Sequence, residues 1–327
     1  MVSDNTFDVV IVGAGPAAWS AATFLARANV TTLVIGDSAQ SGLADAAEVW
    51  NYAGFPKGIS GRELLEQMRE GAVRQGAQFI KGEIVHLERH VPRATHQIQH
   101  EAMSARRDAP AEFFVRTAER QEFYAGNLLL AHGANFIKVN LEGEVELVGN
   151  GLHYCALCDG PHYKGKDVIV LGNSNLAAEE ALQLQIMGAK PRIITHAIEA
   201  NITSEYQKLL DAQNISVSVG KAEKIQPKIT LTVREKDGAV RSHSTDGLFI
   251  ALGVASSSTF AQKLGLAMNG NFLKADENGR TNVNGVWVAG LARGGVNQVA
   301  KSVGEGTVAA VDMIKSIKGL PQYLDHT

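Results

Sequence analysis

The chain has 327 residues, room for about two domains at roughly 150 residues each, so a single small binding module is excluded. Basic residues number 31 against 34 acidic ones, for a formal charge of −3 and a pI near 6.4, which leaves no global positive field for a nucleic-acid backbone. Apolar residues at 45% and charged residues at 20% allow sizeable cores and exclude wholesale disorder.

The longest apolar stretch, Val9 to Ala22, is broken by Gly13, Gly15 and Pro16, short of the roughly 18 residues that would suggest a membrane span. The start MVSDNTFD lacks the basic, apolar, small-residue order of a secretory leader. A cytoplasmic, non-membrane protein is the expectation.

Phe7 to Val12 reads as a buried strand, followed by Gly13-Ala14-Gly15-Pro16-Ala17-Ala18, an amphipathic helix to about Ala28, and a strand over Thr31 to Ile35. This β-α-β unit carries G-x-G-x-x-A directly after its first strand. Gly13 makes the turn, Gly15 admits a pyrophosphate to the helix N-terminus, and Ala18 keeps helix and strand close. Asp37 follows the second strand where a carboxylate can meet a ribose hydroxyl.

A helix is predicted from Ser60 to Gln78, with Leu64, Leu65, Met68 and Val73 on its apolar side. Residues 83–126 alternate as short strands around a polar excursion containing His90, His96 and His100, with His86 just before it. The irregular histidine spacing, with no thiol arranged beside it, favours a solvated hairpin loop over a metal site. Asn127 to Leu130 forms a strand ending in the turn Ala131-His132-Gly133-Ala134.

A second β-α-β unit follows: strand Lys166 to Leu171, turn Gly172 to Ala177, helix Ala178 to Met187, strand Pro191 to Thr195. Strands near Ile225 to Arg234, a return strand within Asp246 to Gly253, and a final strand, loop and helix over Gly285 to Gly290 and Gln298 to Lys315 complete the chain. The fold expected is α/β, with two Rossmann-like nucleotide-binding domains, the second inserted into the first.

The two cysteines, Cys155 and Cys158, stand in His153-Tyr154-Cys155-Ala156-Leu157-Cys158-Asp159-Gly160. Thiols at this spacing close a small disulfide ring and commonly have a depressed pKa, which suits reversible two-electron chemistry. Zinc held by His153, Cys155, Cys158 and His162 is a competing reading, weakened by the tightness of such a loop and the lack of a second C-x-x-C. Two buried structural thiols are the other.

The stretches VIVGAGPAAWSAA, EVWNYAGFPKGISGRELLEQM, YCALCDG, GVWVAG and QVAKSVGEG resemble, in this order, segments of the low-molecular-weight thioredoxin reductase family. That resemblance implies FAD in a domain built from residues 1–136 and 247–327, and an inserted NAD(P)-binding-like domain, residues 137–246, that carries the disulfide. It implies that Cys158 faces the flavin, that Cys155 exchanges with substrate, and that Asp159 moves protons at the thiols. It places Gly13, Gly15, Pro16, Ala17, Asp37, Asn51, Gly133, Gly290, Gln298, Val299 and Ala300 around the flavin. It also suggests a homodimer acting on a thioredoxin-like protein or another disulfide.

Several residues depart from the family pattern. Ser174 stands where the second turn has its middle glycine, and the basic motif H-R-R-x-x-x-R-A reads His196-Ala197-Ile198-Glu199-Ala200-Asn201-Ile202-Thr203. Every arginine that would grip a 2′-phosphate is gone, and Glu199 would repel it. G-G-Q-L becomes Gln40-Ser41-Gly42-Leu43, and the aspartate of A-G-D becomes Leu291. The expectation is a pyridine-nucleotide-independent branch that takes electrons from ferredoxin, or from a second FAD in the degenerate NADPH site. A dithiol oxidase using O2 and a non-catalytic flavin-binding redox sensor are the alternatives.

Overall fold

The structure, a computed structural model, describes residues 5–89, 112–134, 137–253 and 263–321. His90, His96 and His100 lie outside these residues. The chain divides into two compact units, one of Met1–Ala46, Tyr52–Ala134 and Ser256–Thr327, the other of Ala47–Asn51 and Asn135–Ala255.

The first unit opens with β1 (Thr6–Val12), α1 (Pro16–Arg27) and β2 (Thr32–Gly36), then α2 (Gly61–Arg74), β3 (Gln78–Lys81), β4 (Ile84–Arg89), β5 (Phe113–Thr117) and β6 (Glu122–Leu130). Ser60 caps α2 by accepting the Glu63 N–H at 3.2 Å. The helix stops at Arg74, short of the Gln78 expected from sequence, because Gln78 opens β3 and pairs beside β2.

In the second unit come α3 (Glu144–Leu147), β7 (Leu152–His153), α4 (Ala156–Asp159), β8 (Asp167–Leu171), α5 (Asn175–Ile186), β9 (Lys190–Ile194), α6 (Ser204–Ala212), β10 (Val217–Ser218), β11 (Gly220–Gln226), β12 (Thr230–Glu235), β13 (Val240–Ser244) and β14 (Gly247–Ile250). Helix α5 starts at Asn175, directly after Ser174, rather than at Ala178. The chain then returns to the first unit through β15 (Met268–Asn269), β16 (Phe272–Leu273), β17 (Val286–Val288) and α7 (Val299–Lys318).

The main sheet of the first unit has the order β3-β2-β1-β6-β5-β4, with β17 also paired to β6. Strand β1 is covered on both faces, which is why it reads as an unbroken apolar run. Val9 and Ile11 join the cluster that includes Trp19 and Leu25 of α1 and Met313 of α7. Val10 and Val12 join the opposite cluster with Phe113, Leu128 and Val288.

The parallel sheet of the second unit runs β10-β9-β8-β14-β7. Val168 and Val170 face the cluster with Ala177, Ala181 and Leu184 of α5. Ile169 and Leu171 face Leu231 and Val233 of the antiparallel β11-β12-β13 sheet. Strand β14, which the sequence pattern placed at the start of the outer domain's return, lies between β8 and β7, with Leu248 opposite both Ile169 and Leu152. Apolar alternation marks a strand but does not say which sheet receives it, so the compact unit extends past the boundary expected at residue 246.

Candidate active site and nucleotide turns

The first turn is built around Gly13. Its φ of +108° suits glycine, and a Cβ there would meet the Ala131 carbonyl oxygen at 2.4 Å. Gly15 is the N-cap of α1 and brings no side-chain cap, Pro16 occupies the first turn, and no acidic residue lies there. The uncapped amides and the helix dipole therefore present an anion site. An added Cβ at Gly15 has only Ser41 Oγ nearby, at 3.4 Å. This open cradle fits the pyrophosphate of a dinucleotide such as FAD. Ala17 is buried against α7, and Ser38 Oγ braces the turn by donating to the Ala14 carbonyl at 3.0 Å.

Asp37 accepts the Ala39 N–H at 3.0 Å and faces Lys81 at 3.5 Å while staying partly exposed. Gly133, at φ +72°, closes the strand-end turn beside His132, whose imidazole burial pushes down to about 4. Asn51 is exposed and groups with the second unit.

At the other end of the unit, Gln298 is the N-cap of α7, followed by Val299 and Ala300 in its first turn, with no side-chain cap on the amides. The Gly290 turn before them is clamped by charge. Its N–H donates to Glu305 Oε2 at 2.9 Å, and its carbonyl accepts from Lys301 Nζ at 3.1 Å. Lys301 and Arg293 both pair with Glu305, at 2.9 and 3.6 Å. The turn that bears Leu291 is thus held by side chains of α7 and by Arg293.

Cys155 and Cys158 form a disulfide across α4, with Cα atoms 5.4 Å apart. The Cys158 N–H donates to Cys155 Sγ at 3.2 Å, and both residues keep partial exposure, so a thiol partner can reach them. The sulfurs are bonded to each other, and among the described residues no group of three or more His, Cys, Asp and Glu is arranged to hold a metal ion.

Asp159 follows Cys158, and its Oδ1 lies 3.3 Å from Nδ1 of His153. The other ring nitrogen, Nε2, lies 2.7 Å from the Tyr163 hydroxyl. Burial, with the charges of Asp159 and Asp246, pushes the Tyr163 phenol up to about 12, so it keeps its proton. A neutral His153 that turns Nδ1–H to the carboxylate therefore takes the Tyr163 O–H on Nε2. Phe249 packs on both rings, at centroid distances of 5.2 and 5.3 Å.

The second turn keeps the first glycine of the pattern. A Cβ at Gly172 would meet the Ala251 carbonyl oxygen at 2.3 Å, the same close approach as at Gly13. Ser174 is the N-cap of α5 but makes no side-chain cap. The loop after β9 lies against this turn: the Asn201 N–H donates to the Asn173 carbonyl at 2.6 Å, Asn201 bridges Ser174, and the Thr203 N–H donates to Asn175 Oδ1 at 2.9 Å. Ile198 in that loop is 84% exposed, where the family pattern has an arginine.

Residues 7–306 match the family described as pyridine nucleotide-disulphide oxidoreductase. The chain belongs to that family. Thioredoxin reductase of Listeria monocytogenes is 30% identical over 334 residues, covering 98% of this chain and 97% of the relative. The solved atypical thioredoxin reductase of Desulfovibrio vulgaris Hildenborough is 36% identical, covers 97% of this chain and 100% of its own, and superposes with a TM-score of 0.52. Thioredoxin reductase of Streptococcus pyogenes, at 23% identity, shares the fold with a TM-score of 0.84, covering 97% of this chain and all of its own. The protein is a flavin disulfide oxidoreductase of the thioredoxin reductase type, with Cys155–Cys158 as its redox-active pair.

Cys155 is the N-cap of α4, and Cys158 and Asp159 close it. From the sequence His153 stands out only as a zinc ligand, and Tyr163 and Glu180 do not stand out at all. The spacing from His153 to Asp159 to Tyr163 on either side of the cysteines was the available signal for the first two.

Proposed function

We propose that the protein passes electron pairs through FAD to the Cys155–Cys158 disulfide and on to a thioredoxin-like protein or a small disulfide, from ferredoxin or a second FAD rather than from NADPH. The observation that carries this is the loop Thr195–Thr203. The three arginines of the family's phosphate grip are Ala197, Ile198 and Ile202, and Glu199 adds a charge of the wrong sign. A 2′-phosphate bearing nearly two negative charges has no arginine fork in that loop to meet it.

FAD would supply reversible two-electron transfer. The residues that would hold it are Gly13, Gly15, Pro16 and Ala17 at the pyrophosphate, Asp37 at the ribose, Gly133 and Gly290 at the strand-end turns, and Asn51 with Gln298, Val299 and Ala300 toward the ring. Cys158 would face the flavin and Cys155 the substrate. When the disulfide opens, two electrons and two protons give two thiols, and Asp159 would hand a proton to the departing sulfur. His153, hydrogen-bonded to Tyr163, orients that carboxyl.

A second FAD would set its pyrophosphate at the start of α5, whose first turn has no side-chain cap. Ferredoxin would need no such turn. Anaerobic mixing with excess NADPH or NADH is expected to leave the flavin absorbance near 450 nm unbleached over minutes. Rapid bleaching by either nucleotide overturns the donor assignment. Flavin released per chain on denaturation, about two or about one, then separates a second FAD from ferredoxin.

A further inference from the structure

A second carboxyl, besides that of Asp159, touches the disulfide loop. Glu180 lies in the middle of α5, and its Oε2 accepts the Ala156 N–H at 2.5 Å. Ala156 is fully buried and directly follows Cys155, so this bond fixes the peptide unit from which the Cys155 side chain springs. The loop is also pressed against the same helix at Gly160, where a Cβ would meet Met187 Sδ at 2.6 Å. The face of α5 that buries Ala177, Ala178, Ala181 and Leu184 is otherwise apolar, and an acid there costs desolvation that an alanine would not.

Burial pushes the Glu180 carboxyl up to about 7; the Ala156 N–H opposes this, and the like charges of Glu179 and Asp159 add to it. Among the described residues these two are the charges that bear on it. Arg192 on β9 is engaged by the Ser244 carbonyl, and Tyr206 on α6 by Glu179.

We propose that Glu180 is a positioning residue for the redox pair: its carboxylate anchors the Cys155–Ala156 peptide and, through its charge, tunes the thiolate character of reduced Cys155. The proposal rests on Cys155–Cys158 being the working disulfide. An ionised Glu180, bonded to the amide that follows Cys155, is a like charge toward a Cys155 thiolate and would raise the thiol pKa, whereas a neutral one would not. Glu180 carries no electrons. In the test below dithiothreitol supplies the pair and becomes its cyclic disulfide, while the S–S bond breaks and two S–H bonds form.

The flavoprotein is reduced with dithiothreitol, freed of excess reagent without oxygen, and alkylated with iodoacetamide from pH 5.5 to 9, Cys155 being followed by mass spectrometry. Wild type, Glu180→Gln and Glu180→Ala are compared, with amide hydrogen exchange of the peptide containing Ala156. Glutamine keeps an acceptor oxygen for the Ala156 N–H but no charge. It should leave amide protection near wild type, lower the apparent thiol pKa, and speed alkylation near pH 7.5 about threefold or more. Alanine removes the acceptor as well and should also raise amide exchange.

Superimposable pH profiles for wild type and Glu180→Gln, both folded by circular dichroism, overturn the role of Glu180 alone. A wild-type disulfide that dithiothreitol cannot open overturns the working-disulfide reading as well.

Discussion

His153 Nδ1 stands 3.3 Å from Oδ1 of Asp159, the acid that directly follows Cys158. The histidine is 9% exposed, and its second nitrogen is held by Tyr163 at 2.7 Å. The acid beside the thiols is therefore oriented by a buried aromatic cluster.

Asp159→Asn keeps a hydrogen-bonding partner for His153 but cannot carry a proton between water and sulfur. Turnover of a small disulfide by the reduced enzyme should fall by about 10²-fold, with the flavin content unchanged. Loss of flavin in this variant would point to a structural role instead. His153→Phe, which removes only the contact that orients the carboxyl, should cost less.

Gly13→Ala places a methyl group 2.4 Å from the Ala131 oxygen, at a φ of +108°. It should destabilise the first unit by about 2–4 kcal/mol and yield protein lacking bound flavin, read from the absorbance of the purified chain. Ser174→Gly, in the other turn, should leave flavin in the first unit unchanged.

His132 has its pKa lowered to about 4, chiefly by burial. A histidine depressed in the folded state is protonated first in the unfolded chain, so stability is intact above pH 6.5 and is lost as pH falls toward 4. The loss amounts to at most about 3 kcal/mol. Urea midpoints between pH 7 and 4 should decline less steeply in His132→Gln.

Asp312, 7% exposed, accepts the Trp287 indole N–H at 2.8 Å and pairs with Arg280 at 2.5 Å. Asp312→Ala leaves the indole donor of a residue that is 2% exposed without its acceptor. Thermal unfolding should register a loss of about 2–4 kcal/mol. Asp312→Asn, which keeps an acceptor oxygen, should recover much of it.

Elements whose signal is local were legible in the sequence. Val9 to Val12 announce a doubly covered strand, Gly13 and Gly15 a nucleotide turn, Ser60 a helix start, and the two-residue gap between Cys155 and Cys158 a ring-closing disulfide. Residues that act across the chain were not. Nothing near Ala156 announces that Glu180 holds its amide, and nothing near Gly290 announces Glu305 and Lys301. The membership of Gly247–Ile250 in the second sheet follows from a register between strands nearly 80 residues apart. Partnerships of that kind are fixed by packing, which short-range periodicity does not encode.

The pairing of β17 with β6, Val286 opposite Leu128, has a consequence for how the polypeptide matures on the ribosome. Strands β1 to β6 emerge early yet remain without β17 and α7 until residue 318 has been added, a delay of roughly 10–40 s at 5–20 residues per second. The middle segment finishes its own parallel sheet at Ile250 and can close first. Nascent chains stalled before Val286 should therefore carry a protease-resistant centre and a cleavable amino-terminal third.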